Sequence, residues 1–292
     1  MTLAKRTADP RPCVICLSGL DPSGGAGIQA DIEALLQTGS HCMPVLTSLT
    51  VQDTSNVLHT RAVDADLIRW QLDTLYADMP VAAVKIGLLT DLNVLQTIAT
   101  WLAEHPQIPV IADPVLKAGG GFQFENETLV SDYIRLLLPH VDILTPNTDE
   151  LLRLAPASDH GAAAAALLAA GCDHVLVTGT HDDSEHVANR LYAASSQSGL
   201  ARPAEPIRTW QFARLPGSFH GSGCTLAASV ASFVATGHEL VEAVELAQQF
   251  TWQALVQATR PGKGQFVPDR KAAGADYRDT PVNIIQPDHS AG

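Results

Sequence analysis

Aromatic residues and long apolar runs are both scarce in this chain of 292 residues. Only 5% of the residues are aromatic although 46% are hydrophobic, so the core must consist of aliphatic side chains, as in proteins that pack helices against a parallel sheet. No stretch reaches the roughly 18 uninterrupted apolar residues of a membrane span, and the polar residues 1–12 do not resemble a signal peptide. We therefore expect a cytoplasmic protein that has no membrane partner.

Positive charge is the second shortage. The chain has 18 lysines and arginines against 31 aspartates and glutamates, which gives a formal net charge of −13. Such a charge repels nucleic-acid backbones and anionic lipid surfaces, so we also expect no nucleic-acid partner. A small anion would need local, fixed hydrogen-bond donors to bind to this protein.

Cysteines are few and irregularly spaced. Their odd number, five, does not indicate a disulfide framework. Cys13 and Cys16 have the CxxC spacing of redox and zinc sites, but positions three apart on a strand face opposite sides of a sheet. The two thiols are therefore not expected to converge, and no second CxxC completes a zinc set.

Two common nucleotide-binding motifs are also missing. The sequence contains neither GxxxxGK[ST] nor GxGxxG, which argues against a P-loop and against a Rossmann dinucleotide site. Short apolar runs do alternate with longer amphipathic ones, a pattern typical of βαβ units and a mainly parallel sheet. Because no linker or repeat divides the chain, we predict one α/β domain over residues 13–270, with polar tails at 1–12 and 271–292.

The alternation predicts individual elements. The predicted strands cover residues 14–17, 81–86, 109–112, 141–144, 174–178, 189–194 and 208–213, and a further β-type run covers 46–54. The predicted helices cover residues 26–36, 64–76, 92–102, 126–138, 148–154, 223–236 and 238–259, and an alanine-rich patch at 162–166 favours one more. Ligands of open α/β sheets bind at the carboxyl ends of the strands. The polar residues that follow these strands are therefore the candidate site.

The most informative of these segments is HGSGCT at residues 220–225, where the chain enters a predicted helix. Its glycines leave backbone N–H groups unshielded at a helix N-terminus, where unpaired donors and the helix dipole bind an anion. A phosphate at this turn would bring the Cys224 thiol close to the group that receives the phosphate. The alternative interpretation is a glycine-rich helix start with a buried cysteine.

Five other polar residues stand out near the ends of predicted strands. After a four-glycine turn, Asp31 projects one turn into the following helix, either as a ligand-site residue or as a partner of the helix dipole. The Gln52 amide suits the edge of an aminopyrimidine, or alternatively a backbone contact. Asp113, Asn147 and Glu150 supply oxygen ligands of the kind that Mg²⁺ uses. Asn147 and Glu150 also fit a helix-capping box, and both interpretations are compatible.

Six segments in a fixed order resemble those of the hydroxymethylpyrimidine/phosphomethylpyrimidine kinases of thiamine biosynthesis, which belong to the ribokinase-like superfamily. They are SGLDPSGGAGIQAD at 18–31, VQDT at 51–54, VKIG at 84–87, DPV at 113–115, TPN at 145–147 with Glu150, and HGSGCT at 220–225. The resemblance implies a three-layer αβα fold in which helices flank a central, mostly parallel sheet. It also implies phosphorylation of 4-amino-5-hydroxymethyl-2-methylpyrimidine, first to the monophosphate and then to the diphosphate, with ATP and Mg²⁺.

The resemblance further implies a role for individual positions. The implied pyrimidine contacts are Gly19, Asp31, Gln52, Leu88 and Val115, and the implied water-mediated Mg²⁺ ligands are Asp113, Asn147 and Glu150. The implied ATP contacts are Thr178, Gly179 and Lys263. The implied anion hole, which is the catalytic centre, consists of Gly221, Ser222, Gly223 and Cys224.

Departures from the family pattern leave alternatives open. Thr178 stands where a lysine is frequent, so the cation that faces the transferred phosphate is unassigned, with Lys117 and Lys263 as candidates. Cys224 stands where related sugar kinases carry an aspartate base, and the helix dipole would lower the pKa of its thiol. A Cys224→Ala substitution would then slow the first phosphorylation more than the second. The alternatives are a pyridoxal kinase on the same fold and a pyrimidine-binding module without catalysis; a homodimer is compatible with either.

Overall fold

The computed structural model describes residues 11–117, 121–124, 126–180, 184–194, 203–273 and 275–285. Within these residues, ten strands form one sheet in the order β10-β9-β8-β7-β6-β5-β4-β1-β2-β3. The strands are β1 (Cys13–Leu20), β2 (His41–Gln52), β3 (Val57–Ala62), β4 (Val81–Ile86), β5 (Val110–Ala112), β6 (Ile143–Leu144), β7 (His174–Val177), β8 (His186–Ala193), β9 (Arg208–Ala213) and β10 (Asn283–Ile285).

Eight α-helices accompany the sheet in the described part of the chain. They are α1 (Gly27–Thr38), α2 (Ala65–Asp78), α3 (Leu92–Glu104), α4 (Glu127–Asp132), α5 (Thr148–Leu154), α6 (His160–Ala169), α7 (Ser222–Ala235) and α8 (Leu240–Val256). None of these helices is long and apolar enough to cross a membrane.

The six adjacent strands from β7 to β2 are parallel, and β3, β8, β9 and β10 each pair antiparallel with a neighbour. The parallel strands are apolar because helices cover both of their faces. In β1, Ile15 packs into one core and Cys16 into the other. Cys13 packs on the same side as Ile15, so the thiols of Cys13 and Cys16 face opposite sides of the sheet, as predicted.

The two cores define three layers. One core joins the sheet to α2, α3, α4, α5 and α6, and the other joins it to α1, α7 and α8. The predicted α/β fold, with a mostly parallel sheet between helical layers, is confirmed. Because the parallel strands share one direction, their carboxyl ends lie along one edge of the sheet, where the predicted site residues follow them.

Three segments differ from the prediction. Strand β3 was not predicted, because Val57 is its one buried residue and its other residues are exposed or half-buried, so the segment shows no apolar pattern. The predicted helix 126–138 is divided into α4, a π-helical turn (Tyr133–Leu137) and a 3₁₀ turn (Leu138–His140), which contains Pro139. Residues 271–285, predicted as a polar tail, include a 3₁₀ turn (Ala275–Asp279) and the edge strand β10. Residues 1–10 and 286–292 of the predicted tails lie outside the described residues, and the domain limits stay a prediction.

Candidate active site

A cavity of about 560 Å³ opens at the carboxyl edge of the parallel strands. Its wall contains residues that follow β1, β4, β5, β6 and β7, together with the N-terminus of α7. The predicted site residues in this wall are Gly19, Gln52, Leu88, Asp113, Val115, Asn147, Glu150, Thr178, Gly221, Ser222, Gly223 and Cys224. Three other described residues from the prediction, Asp31, Gly179 and Lys263, are not part of the wall.

Two glycine turns pack against each other at this cavity. In the turn between β1 and α1, Gly27 has a φ of +58°, and a Cβ there would overlap the carbonyl oxygen of Gly19. In the turn before α7, Gly221 has a φ of +87°, and a Cβ would overlap the carbonyl oxygen of Gly25. Glycine permits both the left-handed backbone and this close approach. The start of α7 is therefore fixed by direct contact between the two backbones.

The N-terminus of α7 forms part of the cavity wall. The helix begins at Ser222, and its N-cap, Gly221, has no side chain that could satisfy the first N–H groups of the helix. Residues 221–224 all line the cavity. The unpaired donors and the helix dipole therefore offer a binding site for an anion at this wall.

Asp113 and Cys224 lie together beside that helix start and interact through a side-chain hydrogen bond. Burial raises the pKa of Asp113 to about 6, although the charge of Lys85 acts in the opposite direction. Burial also raises the pKa of the Cys224 thiol to about 12. The prediction of a lowered thiol pKa is therefore wrong, because loss of water around the sulfur outweighs the attraction of Lys85. At neutral pH, Cys224 is a neutral thiol and Asp113 is mainly ionised.

A buried ion pair lies behind the cavity wall. Lys85 Nζ is 2.8 Å from Asp31 Oδ1, and both side chains have 0% exposure. Ser18 Oγ donates to Asp31 Oδ2 at 2.5 Å and accepts from Lys85 Nζ at 3.0 Å. Burial alone would lower the pKa of Lys85, but the acidic groups around it, with Asp31 the strongest of them and Asp113 another, together outweigh burial and raise the pKa. Asp31, predicted as a pyrimidine contact, instead holds Lys85 in place behind Ser18, which does line the cavity.

His220 and Asp21 connect the two glycine turns. His220 Nε2 lies 2.8 Å from Asp21 Oδ2, and the carboxylate also accepts hydrogen bonds from Ser23 and from two further backbone N–H groups. Burial alone would raise the pKa of Asp21, but the hydrogen bonds from His220 and Ser23 outweigh it and lower the pKa to about 2. Because Asp21 is an ionised acceptor, His220 donates from Nε2. The Gln52 amide nitrogen lies 3.3 Å from the same nitrogen, so Gln52 and His220 are neighbours in the cavity wall.

Asn147 and Glu150 begin α5 with the predicted capping box. Asn147 Oδ1 accepts from the Glu150 N–H at 2.9 Å, and Glu150 Oε2 accepts from the Asn147 N–H at 3.0 Å. Burial, followed by repulsion from Asp113, raises the pKa of Glu150 to about 8. Without a cation Glu150 is therefore mainly protonated at neutral pH, and a bound cation would favour its ionised form. Two acidic side chains beside an amide oxygen form a donor set that fits a hard cation such as Mg²⁺. Among the described residues, no group of three or more His, Cys, Asp and Glu residues suits a metal, so a cation here would need further oxygens from water or phosphate.

The opposite end of the cavity lies near β7, β8, β9 and α8. Its wall includes the apolar side chains of Val187, Phe212, Trp252 and Leu255, and Thr178 adds a hydroxyl group. Gly179 lies behind Thr178, where its N–H donates to Asn189 Oδ1 at 3.1 Å and its carbonyl accepts from Arg214 at 3.3 Å. This chamber combines an apolar surface with backbone and hydroxyl groups, as sites for planar heterocycles do.

Lys263 lies elsewhere. Its loop packs on the turn between β2 and β3, where the Gly264 N–H donates to Thr54 Oγ1 at 3.0 Å. Four strands separate β2 from β7 in the sheet. The structure therefore does not bring Lys263 together with Thr178 and Gly179, whereas Lys117, the other candidate cation, does line the cavity.

Sequence reasoning gave no role to three residues near the site: Lys85, His220 and Arg270. Lys85 carries a signal, because it is a charge inside an apolar strand, and His220 belongs to the HGSGCT segment. Arg270 carries none, since a single arginine after the last predicted helix is typical of a polar tail. Its guanidinium is nevertheless buried next to both glycine turns.

Comparison with known sequences places this chain among kinases. A family model described as phosphomethylpyrimidine kinase matches residues 21–269. The chain is 34% identical over 280 residues to the thiamine biosynthesis bifunctional protein ThiED of Geobacter sulfurreducens, covering 94% of this chain and 55% of that protein. It is 30% identical over 258 residues to the hydroxymethylpyrimidine/phosphomethylpyrimidine kinase of Salmonella typhimurium, covering 86% of this chain and 94% of that protein. The chain thus spans about half the length of the first relative and nearly all of the second.

Solved structures agree with this placement. The phosphomethylpyrimidine kinase of Clostridium difficile superposes with a TM-score of 0.69 at 26% identity, covering 84% of this chain and all of that one. The pyridoxal kinase of Bacillus subtilis, in its ADP complex, superposes with a TM-score of 0.77 at 26% identity, covering 90% and 98% of the two chains. With the family match over most of its length, this chain belongs to the phosphomethylpyrimidine kinase family.

Proposed function

We propose that this protein is a transferase of thiamine biosynthesis. It moves a phosphoryl group from ATP to 4-amino-5-hydroxymethyl-2-methylpyrimidine, and then a second one to the monophosphate. The observation that carries the proposal is that one cavity brings together the anion-binding start of α7, the Asp113 carboxylate and the Gln52 amide. Its volume of about 560 Å³ lies within the range of small-molecule sites, roughly 300–1,000 Å³. The Salmonella and Clostridium relatives are named as kinases of this pyrimidine or of its monophosphate, which supports the same assignment.

Phosphoryl transfer depends on in-line positioning and on neutralising the charge of the transferred group. The N–H groups of residues 221–224 are fixed donors, and in a site with little water such donors stabilise developing negative charge. Asp113, Asn147 and Glu150 would hold Mg²⁺ partly through water. The bound cation would neutralise phosphate oxygens. Thr178 and the apolar chamber beside it would receive the nucleotide, and Gln52 would read the edge of the pyrimidine.

The first transfer also removes a proton from the hydroxymethyl oxygen. Cys224 stays protonated at neutral pH because burial raises the pKa of its thiol to about 12. We therefore assign Cys224 to positioning, and we regard Asp113, to which it is hydrogen-bonded, as the neighbouring group able to accept a proton.

A substitution at Cys224 separates these roles. We expect Cys224→Ala to slow both phosphorylations by similar factors, about tenfold, and Cys224→Ser to slow them less because the hydroxyl keeps a hydrogen bond to Asp113. The measurement is single-turnover formation of the monophosphate and the diphosphate, separated by chromatography. A loss confined to the first step would restore the base role for the thiol.

The substrate assignment is tested by ADP release with Mg·ATP and each of three acceptors. We expect turnover with hydroxymethylpyrimidine and with its monophosphate. The Bacillus subtilis relative makes pyridoxal kinase the second candidate, and turnover with pyridoxal alone would select it. Thermal stabilisation by the pyrimidine without any turnover would identify a binding module. The cytoplasmic location and the homodimer stay predictions.

A further inference from the structure

We propose that Arg270 is a positioning residue that holds the anion-binding start of α7 in the geometry required for phosphoryl transfer. The inference rests on the proposed function of that turn. Arg270 is only 1% exposed, although it follows the last predicted helix. A buried guanidinium must be compensated by specific partners, because an unpaired charge is strongly destabilising away from water. The identity of those partners shows what the residue does.

Three hydrogen bonds account for the placement of the guanidinium. Nη2 donates to the Gly25 carbonyl at 2.7 Å, Nε donates to Thr225 Oγ1 at 2.8 Å, and Nη1 donates to Glu33 Oε2 at 3.0 Å. Gly25 belongs to the turn after β1, Thr225 to the first turn of α7, and Glu33 to α1. One side chain thus joins three elements directly behind the anion-binding turn.

Thr225 extends this contact to the N-cap of α7. Its Oγ1 accepts from Arg270 and donates to the Gly221 carbonyl at 2.7 Å, which also accepts from the Thr225 N–H at 3.0 Å. The Gly221 carbonyl and the Ser222 N–H belong to one planar peptide group. Fixing the carbonyl therefore fixes the direction of the first N–H donor of the helix. Arg270 and Thr225 together set the orientation of a donor that we assign to the transferred phosphate.

The contact with Gly25 acts on the charge of the site. The Gly25 carbonyl oxygen packs against Cα of Gly221, so an electron-rich atom lies beside the turn that must accept an anion. The hydrogen bond from Arg270 Nη2 directs this carbonyl towards a fixed cation, and hydrogen bonds with an ionised donor are stronger than neutral ones. The buried positive charge also adds to the positive end of the α7 dipole. Arg270 therefore favours an anion at this turn by both geometry and charge.

A purely structural role predicts a different pattern among variants. Thr225→Val removes only the hydroxyl that connects Arg270 to Gly221. Arg270→Lys keeps a positive charge but loses the planar fork that reaches three acceptors. Glu33→Gln is the matched control, because it removes only the negative charge of the outermost acceptor, a side chain that is 41% exposed. If Arg270 served stability alone, activity would follow the melting temperature across all three variants.

The experiment measures kcat, and KM for hydroxymethylpyrimidine, with Mg·ATP at a temperature well below the melting point of every variant. We expect Thr225→Val and Arg270→Lys each to lower kcat by about 10–100-fold, with KM changed less than about threefold. This is less than the roughly 100–1,000-fold cost of removing a donor, because the N–H stays in place and loses only its fixed direction. Their effects should not multiply in the double variant, because both act on the same peptide group. Glu33→Gln should keep the wild-type kcat. Unchanged kcat in folded Thr225→Val, or an equal loss in Glu33→Gln, would overturn the inference.

A second readout separates this inference from the proposed function. Thermal stabilisation by Mg²⁺ and AMP-PCP, an ATP analogue that keeps the third phosphate but does not transfer it, reports anion binding without any turnover. We expect Thr225→Val to be stabilised by Mg·AMP-PCP less than the wild type. If the wild type fails to phosphorylate the pyrimidine, the proposed function is wrong, and the Mg·AMP-PCP shift then decides on Arg270. Equal shifts in the wild type and Thr225→Val would refute the role of Arg270 whatever the substrate.

Discussion

Replacing Lys85 by methionine removes one charge from an ion pair that has no water around it. Both side chains have 0% exposure, and Nζ lies 2.8 Å from Asp31 Oδ1. The variant leaves Asp31 as a buried carboxylate that retains the hydrogen bond from Ser18. Removing one partner of a buried ion pair costs roughly 3–5 kcal/mol, because the other charge stays buried without compensation. We therefore expect the free energy of unfolding to fall by about 3–5 kcal/mol at pH 8.

The loss should also depend on pH in a defined direction. In the wild type the raised pKa of Lys85 gives a stabilising contribution that is complete below about pH 10.4, the ordinary lysine pKa, and is lost only as the pH rises beyond it. The methionine variant lacks this contribution, so its deficit relative to the wild type should be at its full size at pH 8 and should shrink only above about pH 10.4.

The assay is urea-induced unfolding followed by circular dichroism at pH 8. Arg69→Met is the control, because it breaks ion pairs with Asp73 and Glu104 whose carboxylates are 47% and 46% exposed, and such pairs are worth about 1 kcal/mol or less. Adding Asp31→Asn to Lys85→Met should restore part of the lost stability, since no buried charge then remains unpaired. A loss no larger than that of the Arg69 control, or no recovery in the double variant, would refute the reasoning.

Two further predictions concern the glycine turn and the acidic pair. Gly221→Ala introduces a Cβ against the Gly25 carbonyl at a φ of +87°, and Gly237→Ala is its matched control, with a φ of +90° and no atom within 4 Å. We expect Gly237→Ala to lose about 1–2 kcal/mol of unfolding free energy in urea and to keep its activity. Gly221→Ala should lose clearly more stability and should also lose phosphoryl transfer. Equal losses of stability in the two variants would contradict the packing of the two turns. Asp113→Asn should lower turnover yet raise the unfolding free energy by about 1–3 kcal/mol at pH 8. The pKa of Asp113, raised to about 6, means that its ionisation destabilises the fold as the pH rises from about 4 to 8; an increase that persists undiminished at pH 4 would contradict this account.

The sequence was sufficient for the parallel part of the sheet and for the location of the site. The predicted range 81–86 coincides with the parallel strand β4, and 148–154 coincides with α5, because apolar runs are clearest where both faces of the sheet are covered. The rule that ligands bind at strand ends placed most predicted residues in one cavity. This rule does not say how deeply a residue is buried, however, so it cannot distinguish residues of the cavity wall from residues behind the wall. Asp31 therefore lies behind the wall and Lys263 in a loop on the β2–β3 turn, and their predicted contacts stay predictions.

The direction of the pKa shift of Cys224 could not be predicted from its neighbours in the sequence, for the same physical reason. Along the chain, Cys224 stands at the start of a helix, which by itself lowers the pKa of a thiol. In the fold it also lies against Asp113, distant in sequence, and burial of the sulfur raises its pKa to about 12, although the residue lines the cavity. The desolvation of a group depends on every element that packs around it, so it cannot be derived from neighbours along the chain.

The same non-local packing explains how a protein with a net charge of −13 offers a site to an anion. Two buried cations, Lys85 and Arg270, lie behind the start of α7, and each is paired with a carboxylate of α1, Asp31 or Glu33. Since a buried charge is screened far less by salt than a surface charge, these two residues can influence the α7 N-terminus although the protein surface is acidic. They are also held in fixed positions, which a lysine on a surface loop is not. The positively charged groups that favour an anion at this site therefore lie in the buried side chains behind the cavity wall, and the Lys85 and Arg270 variants each test one of these groups.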